Sequence, residues 1–181
     1  MAIITVQGKT PQIDPTARIM ENATITGDVT IGKDSSVWFQ VVIRGDVNKI
    51  IIGDRVNIQD GAIVHGTNGR GDTFLGNDVS IGHRAIVHGC KILGRALIGM
   101  GAIILDDAVI QEDVIIAAGA VVVQDFVCES GYIYAGVPAK AVKKIDGAKI
   151  QQYIDGTAAA YVEYSSWYVP LTPASGGLEF G

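Results

Sequence analysis

The chain has little of what most often announces a function. Only two of its 181 residues are cysteines, Cys90 and Cys128. They form no close metal or redox spacing, which argues against a thiolate metal cluster or a disulfide framework. Both read as small buried hydrophobes of a reducing compartment. No run of lysine and arginine occurs, and 14 basic residues face 19 acidic ones for a net charge of −5. Nucleic acid and anionic membranes are therefore poor partners. Although 48% of the residues are hydrophobic, no unbroken apolar run approaches the roughly 20 residues that a membrane helix needs. The first residues, Met1-Ala-Ile-Ile-Thr-Val, lack the basic region of a signal peptide, so the cytoplasm is the expected location. The length fits a single domain whose core needs no staples.

What the chain does have is a repeat. An aliphatic residue recurs every sixth position at Ile13, Ile19, Ile25, Ile31, Val37 and Ile43, then at Ile52, Ile58 and Val64, then at Leu75, Ile81 and Val87. After a one-residue contraction it continues at Ile92, Ile98, Ile104, Ile110, Ile116 and Val122. Four positions after most of these stands a small or β-branched residue, such as Ala23, Val41, Ala62, Ala85 or Ala102. Six is not a helical period. It fits a short strand with two inward positions followed by a tight corner, and turn formers such as Gly53-Asp54 and Gly76-Asn77-Asp78 fall where corners are due. Hexapeptide periodicity is a mark of parallel β-helices. Three hexads make a triangular coil, so the predicted fold is all-β, a parallel β-helix of about six coils at roughly 4.8 Å each. The resemblance is to the left-handed β-helix family, and the handedness follows from that resemblance.

Residues 1–128 are expected to form the β-helix. Residues 129–181 are expected to supply an exit turn, a helix over about 146–168 and an extended tail, all packed on the β-helix as part of the same domain. Ile150, Ile154, Tyr161, Tyr164 and Tyr168 lie near helical spacing, while Gly156 weakens the helix. Extra residues between Ile43 and Ile52, and between Val64 and Leu75, should leave as loops on one side of the solenoid, often the binding side.

All three histidines lie between residues 65 and 88. His65 and His88 each follow the aliphatic residue of hexads that are three apart. They should therefore stack one coil apart, about 5 Å at Cα, in a column that begins at Arg44. His83 belongs to the preceding face, over Asp60 and beside Gln59. If one metal is held by all three histidines, His83 must come from a second copy of the chain. A three-sided prism that repeats such an interface closes as a cyclic trimer. Three neutral imidazoles leave a coordination position open for water, whose pKa a metal lowers to near 7. Such ligands suit Zn, Co, Fe or Ni.

These motifs resemble the gamma-class carbonic anhydrases. The resemblance rests on Arg44-Gly-Asp46, on Asn57-Ile-Gln59-Asp60 before the first histidine, on His65, and on the pair His83 and His88. The Gly99-Met-Gly101-Ala102 run and the Gly136-Val-Pro-Ala-Lys140 exit extend it over roughly residues 10–145. It implies reversible hydration of carbon dioxide to bicarbonate by a metal-bound hydroxide at a trimer interface, with Zn2+, or alternatively Co2+ or Fe2+, as the metal. His65 and His88 would bind it from one subunit and His83 from the next. Gln59 would orient the hydroxide and Asn57 would help position carbon dioxide. Arg44 would pair with Asp46 or Asp60 beside the site, and Tyr161 would approach it from the C-terminal helix.

The sequence departs from the family archetype in two places. Val47 stands where the archetype has a glutamate. The loop after His65 is short, with Asp72 as the one candidate proton shuttle and Arg70 nearby. Two other classes share the fold: acyltransferases that use one histidine and coenzyme A, and non-catalytic metal-binding or assembly subunits of the gamma-class type. A metal-dependent hydrolase of another small carbonyl compound is a further alternative.

Overall fold

The aliphatic residues that set the repeat fall into three columns. In a computed structural model, which describes residues 1–168, the columns read Ile13, Ile31, Ile52, Leu75, Ile92, Ile110 and Cys128; Ile19, Val37, Ile58, Ile81, Ile98, Ile116 and Tyr134; and Ile25, Ile43, Val64, Val87, Ile104 and Val122. Each column is one face of a left-handed parallel β-solenoid of about seven turns with a single C-terminal helix. Two long strands, Thr24–Ile31 and Val42–Ile52, run around a corner and join two faces into one sheet of 12 strands. The third face is a separate sheet of eight.

The aliphatic hexads predict that the repeat ends at Cys128, but the columns run further. Cys128 pairs with Ile110, and Tyr134 pairs with Ile116. Both are buried. A thiol and a phenol take the inward positions at the end of the stack, where aliphatic periodicity cannot reveal them. The inner slots beside the insertions were hidden in the same way. Ile50, Thr73 and Cys90 fill them, each at 1% exposure or less.

The corners turn at the fourth residue of the hexad, which adopts positive φ. Beyond glycine this includes Asp34, Arg55, Asp78, Arg84, Arg95, Asp107, Asp113 and Asp125. Aspartate tolerates that conformation comparatively well. Arginine does so at a penalty of roughly 1 kcal/mol, which at Arg55 and Arg95 ion pairs offset in part. Arg55 pairs with Asp78 through two nitrogens at 2.7 Å, and Arg95 pairs with Asp113 at 2.9 Å. These side chains link the corners of successive coils.

An antiparallel strand, Lys140–Lys144, closes the end of the eight-stranded sheet. The chain then forms a helical segment, capped by Asp146. Its middle, Ile150–Asp155, is π-helical, and an α-helix follows over Gly156–Ser166. Gly156 does not break the segment but sits at the π-to-α junction. The helix lies on the eight-stranded face and buries Ile154, Ala158 and Ser165. Beneath it the outward residues Ser36, Asn57 and Ser80 are buried. The expected extended tail beyond Tyr168 lies outside the described residues. No helix among them is long and apolar enough to cross a membrane.

Candidate metal centre

His65 and His88 are register partners on adjacent coils, and their ring centroids lie 5.3 Å apart. The strand Val42–Ile52 places Arg44 next in the column, with its guanidinium 3.2 Å from His65 Nδ1. Asp46 lies 2.5 Å from the same guanidinium and 3.0 Å from His65 Nε2. His65 is thus engaged at both nitrogens. Burial alone would raise the Asp46 pKa, but the hydrogen bonds from Arg44 and His65 outweigh it and hold the carboxyl below its usual value.

His83 stands on the adjacent face. Its Nδ1 lies 2.8 Å from Asp60, one coil away, and its side chain is 43% exposed. Gln59 and Asn57 share that face and are almost fully buried under the helix. Asn57 donates to Ser80 Oγ at 2.7 Å, and Gln59 Nε2 donates to Asn57 Oδ1 at 2.9 Å. A cavity of about 260 Å3 opens beside His83, lined by Trp38, Phe39, Asp60, His83 and Tyr161 among others. Tyr161 packs edge-to-face on Trp38 at 5.3 Å. Desolvation, followed by the nearby Asp60 and Tyr164, raises its pKa, so its hydroxyl stays protonated in neutral solution.

The single chain therefore gathers its predicted site residues into two groups. Arg44, Asp46, His65 and His88 form one, and Asn57, Gln59, Asp60, His83 and Tyr161 the other. Among the described residues, no three histidine, cysteine, aspartate or glutamate side chains converge within one chain to hold a metal.

The donors nonetheless suit one. His83 and His88 each set Nδ1 against a carboxylate, Asp60 and Asp106 (2.8 and 3.2 Å). A carboxylate at that nitrogen is what supports a metal-binding imidazole that ligates through Nε2. His65 fits only after Asp46 releases its Nε2.

Asp106 escaped the sequence reading. It stacks on Gly89, where the hexad is one residue short. Gly89 was the available signal, because it puts bare backbone beside His88 where a Cβ would meet Asp106. Asp72, the expected shuttle, accepts from the backbone N–H of Lys49 at 3.2 Å. Arg70 instead pairs with Asp107, and Thr67 donates to Asp106 at 3.1 Å. The short loop is thereby tied to the corner at residues 106–107.

No family model matches the chain. Individual relatives do. A carbonic anhydrase of Geobacillus kaustophilus is 43% identical over 93% of this chain and 92% of its own length. Gamma carbonic anhydrase 2, mitochondrial, of Arabidopsis thaliana is 39% identical over 88% of this chain, which spans only 59% of that longer protein. Among solved structures, a hexapeptide transferase family protein from Anaplasma phagocytophilum superposes with a TM-score of 0.88 at 40% identity, covering 93% of this chain and 98% of that one. With the stacked histidines and the hexapeptide solenoid, these relatives show that the chain belongs to the gamma carbonic anhydrase family.

Proposed function

We propose that the chain is a metal-dependent lyase that interconverts carbon dioxide and bicarbonate at sites shared between subunits of a homotrimer. The observation that carries this reading is the placement of the histidines. His65 and His88 stack on one face, and His83 projects from the next, where it cannot meet them within one chain. Two copies packed face against face would complete the set, and a cyclic arrangement repeats the same interface.

A bound Zn2+, Co2+ or Fe2+ would supply the Lewis acidity that makes water a nucleophile near neutral pH. The residues of the chain do the rest. Asp60 and Asp106 hold His83 and His88 with Nε2 free to ligate. Asp46 and Arg44 release His65 and become a charged pair at the interface. Gln59, whose amide nitrogen is committed to Asn57, keeps its carbonyl oxygen as the acceptor that orients the nucleophile's proton. Asn57 anchors Gln59 through its bond to Ser80. Tyr161 and Trp38 wall the adjoining cavity with apolar surface, as an uncharged linear substrate requires.

The name of the structural relative favours a second reading, group transfer on the same solenoid. Metal content separates the two. Protein purified without chelator should carry about one metal per chain, as three imidazoles serving one ion require, and should accelerate carbon dioxide hydration in stopped-flow. Protein that takes up no Zn2+, Co2+ or Fe2+ would overturn the hydration reading and favour transfer. Metal without hydration would leave a metal-binding assembly subunit.

A further inference from the structure

The structure assigns Asp106 as a positioning residue for His88: its carboxylate fixes the Nδ1–H tautomer of that imidazole, and through Thr67 it links His88 to the 66–72 loop. This rests on His88 being a metal ligand.

Asp106 Oδ2 lies 3.2 Å from His88 Nδ1 and 3.1 Å from Thr67 Oγ1. That oxygen accepts from the Thr67 hydroxyl and is also the carboxylate oxygen that faces the His88 ring. Its other oxygen, Oδ1, is buried without a hydrogen-bond partner among the described residues. A lone buried acceptor is unfavourable, so the carboxylate is held there by its surroundings. Those surroundings are built for it. Asp107 N–H donates to the Gly89 carbonyl at 2.8 Å, which stacks the corner on Gly89. Gly89 has positive φ, and a Cβ there would overlap Asp106 Oδ1. The missing side chain at 89 leaves the space that the carboxylate occupies.

The consequence for His88 is chemical. In water a neutral imidazole favours the Nε2–H tautomer, which cannot ligate through Nε2. An acceptor at Nδ1 reverses that preference and leaves Nε2 unprotonated and able to ligate. Thr67 holds the same oxygen and Arg70 pairs with Asp107, so the loop and the imidazole share one anchor. Asp60 stands in the same relation to His83 on the adjacent face.

The test compares full-length wild type, Asp106→Ala, Asp106→Asn and His88→Ala. In apo protein above pH 8, long-range 1H–15N correlation spectra report the tautomer of each histidine. Wild type should show His88 with a protonated Nδ1, and Asp106→Ala should shift it to the Nε2–H form. Asp106→Asn, whose carbonyl oxygen still accepts, should keep the wild-type tautomer and shows that any loss is not mere misfolding. Co2+ affinity, measured by chelator competition, should fall about 10- to 100-fold in Asp106→Ala, with an altered visible spectrum, and should be largely restored in Asp106→Asn. An unchanged His88 tautomer in Asp106→Ala, or unchanged Co2+ affinity and spectrum, overturns the assignment while leaving the metal centre intact. If wild type and His88→Ala bind Co2+ equally, the ligand reading of His88 fails first and the assignment falls with it.

Discussion

Arg95 joins the solenoid to the C-terminal helix. Its guanidinium donates to Asp113 on the next coil at 2.9 Å and to Asp155 of the helical segment at 2.7 Å. The first-named contact is the larger reason its pKa is raised. Each partner is roughly two-fifths exposed or less, so solvent screening keeps either pair within about 1 kcal/mol. Arg95→Ala should lower the unfolding free energy by about 1 kcal/mol. Hydrogen exchange should quicken in residues 147–166 while the inner strands stay protected. Unchanged helix exchange would show that Ile154 and Ala158 alone dock the helix.

The inward columns should tolerate truncation poorly. Ile81 is fully buried in the middle of its column, between Ile58 and Ile98. Replacement by alanine should reduce stability by about 2–5 kcal/mol, because neighbouring coils cannot close in on the void. Urea denaturation measures this directly, and a loss below about 1 kcal/mol would contradict the packing described.

Two glycines separate crowding from backbone preference. A Cβ at Gly76 would overlap the Leu93 carbonyl oxygen, whereas at Gly101, with φ +67°, it would meet nothing within 4 Å. Gly101→Ala should therefore cost only the roughly 1–2 kcal/mol of a left-handed residue. Gly76→Ala must displace the adjacent coil and should melt at a clearly lower temperature than Gly101→Ala. The reverse order in a thermal scan would refute the close approach of the coils at Gly76.

Burial pushes the Cys90 and Cys128 thiols up to about 12. The sign follows from linkage. The folded state disfavours the thiolate, so the stability these thiols contribute is complete below the ordinary thiol value and is lost as pH rises toward 12. The unfolding midpoint should fall between pH 9 and 11, and Cys90→Ala with Cys128→Ala should flatten that fall. Neither thiol should react with a maleimide in native protein at pH 8, whereas both should react in denaturant. Rapid native labelling would contradict their burial.

Much of this was legible in the sequence because a solenoid converts spacing into position. The six-residue period placed His65 beside His88 and His83 over Asp60 by counting alone. What stayed hidden lay where spacing breaks or chemistry changes. Cys128 and Tyr134 continue the columns without aliphatic side chains. Arg55, Arg84 and Arg95 take corner positions that composition assigns to aspartate and glycine. The π-helical turn leaves no trace in an apolar stripe. Asp106 lies beside His88 over the bare backbone of Gly89, a contact that hexad counting by aliphatic residues does not mark.

The central claim is that one metal is shared by two chains, and mixing mutants tests it most directly. His83→Ala protein and His65→Ala/His88→Ala protein should each purify without metal. Unfolded together in equal amounts, refolded and offered Zn2+, they should recover about one metal per four chains, since each mixed cyclic trimer restores a single interface. Recovery near that level is the predicted result. No metal in the mixture, with both proteins folded and co-assembled, or full metal in either mutant alone, would contradict a centre built between subunits.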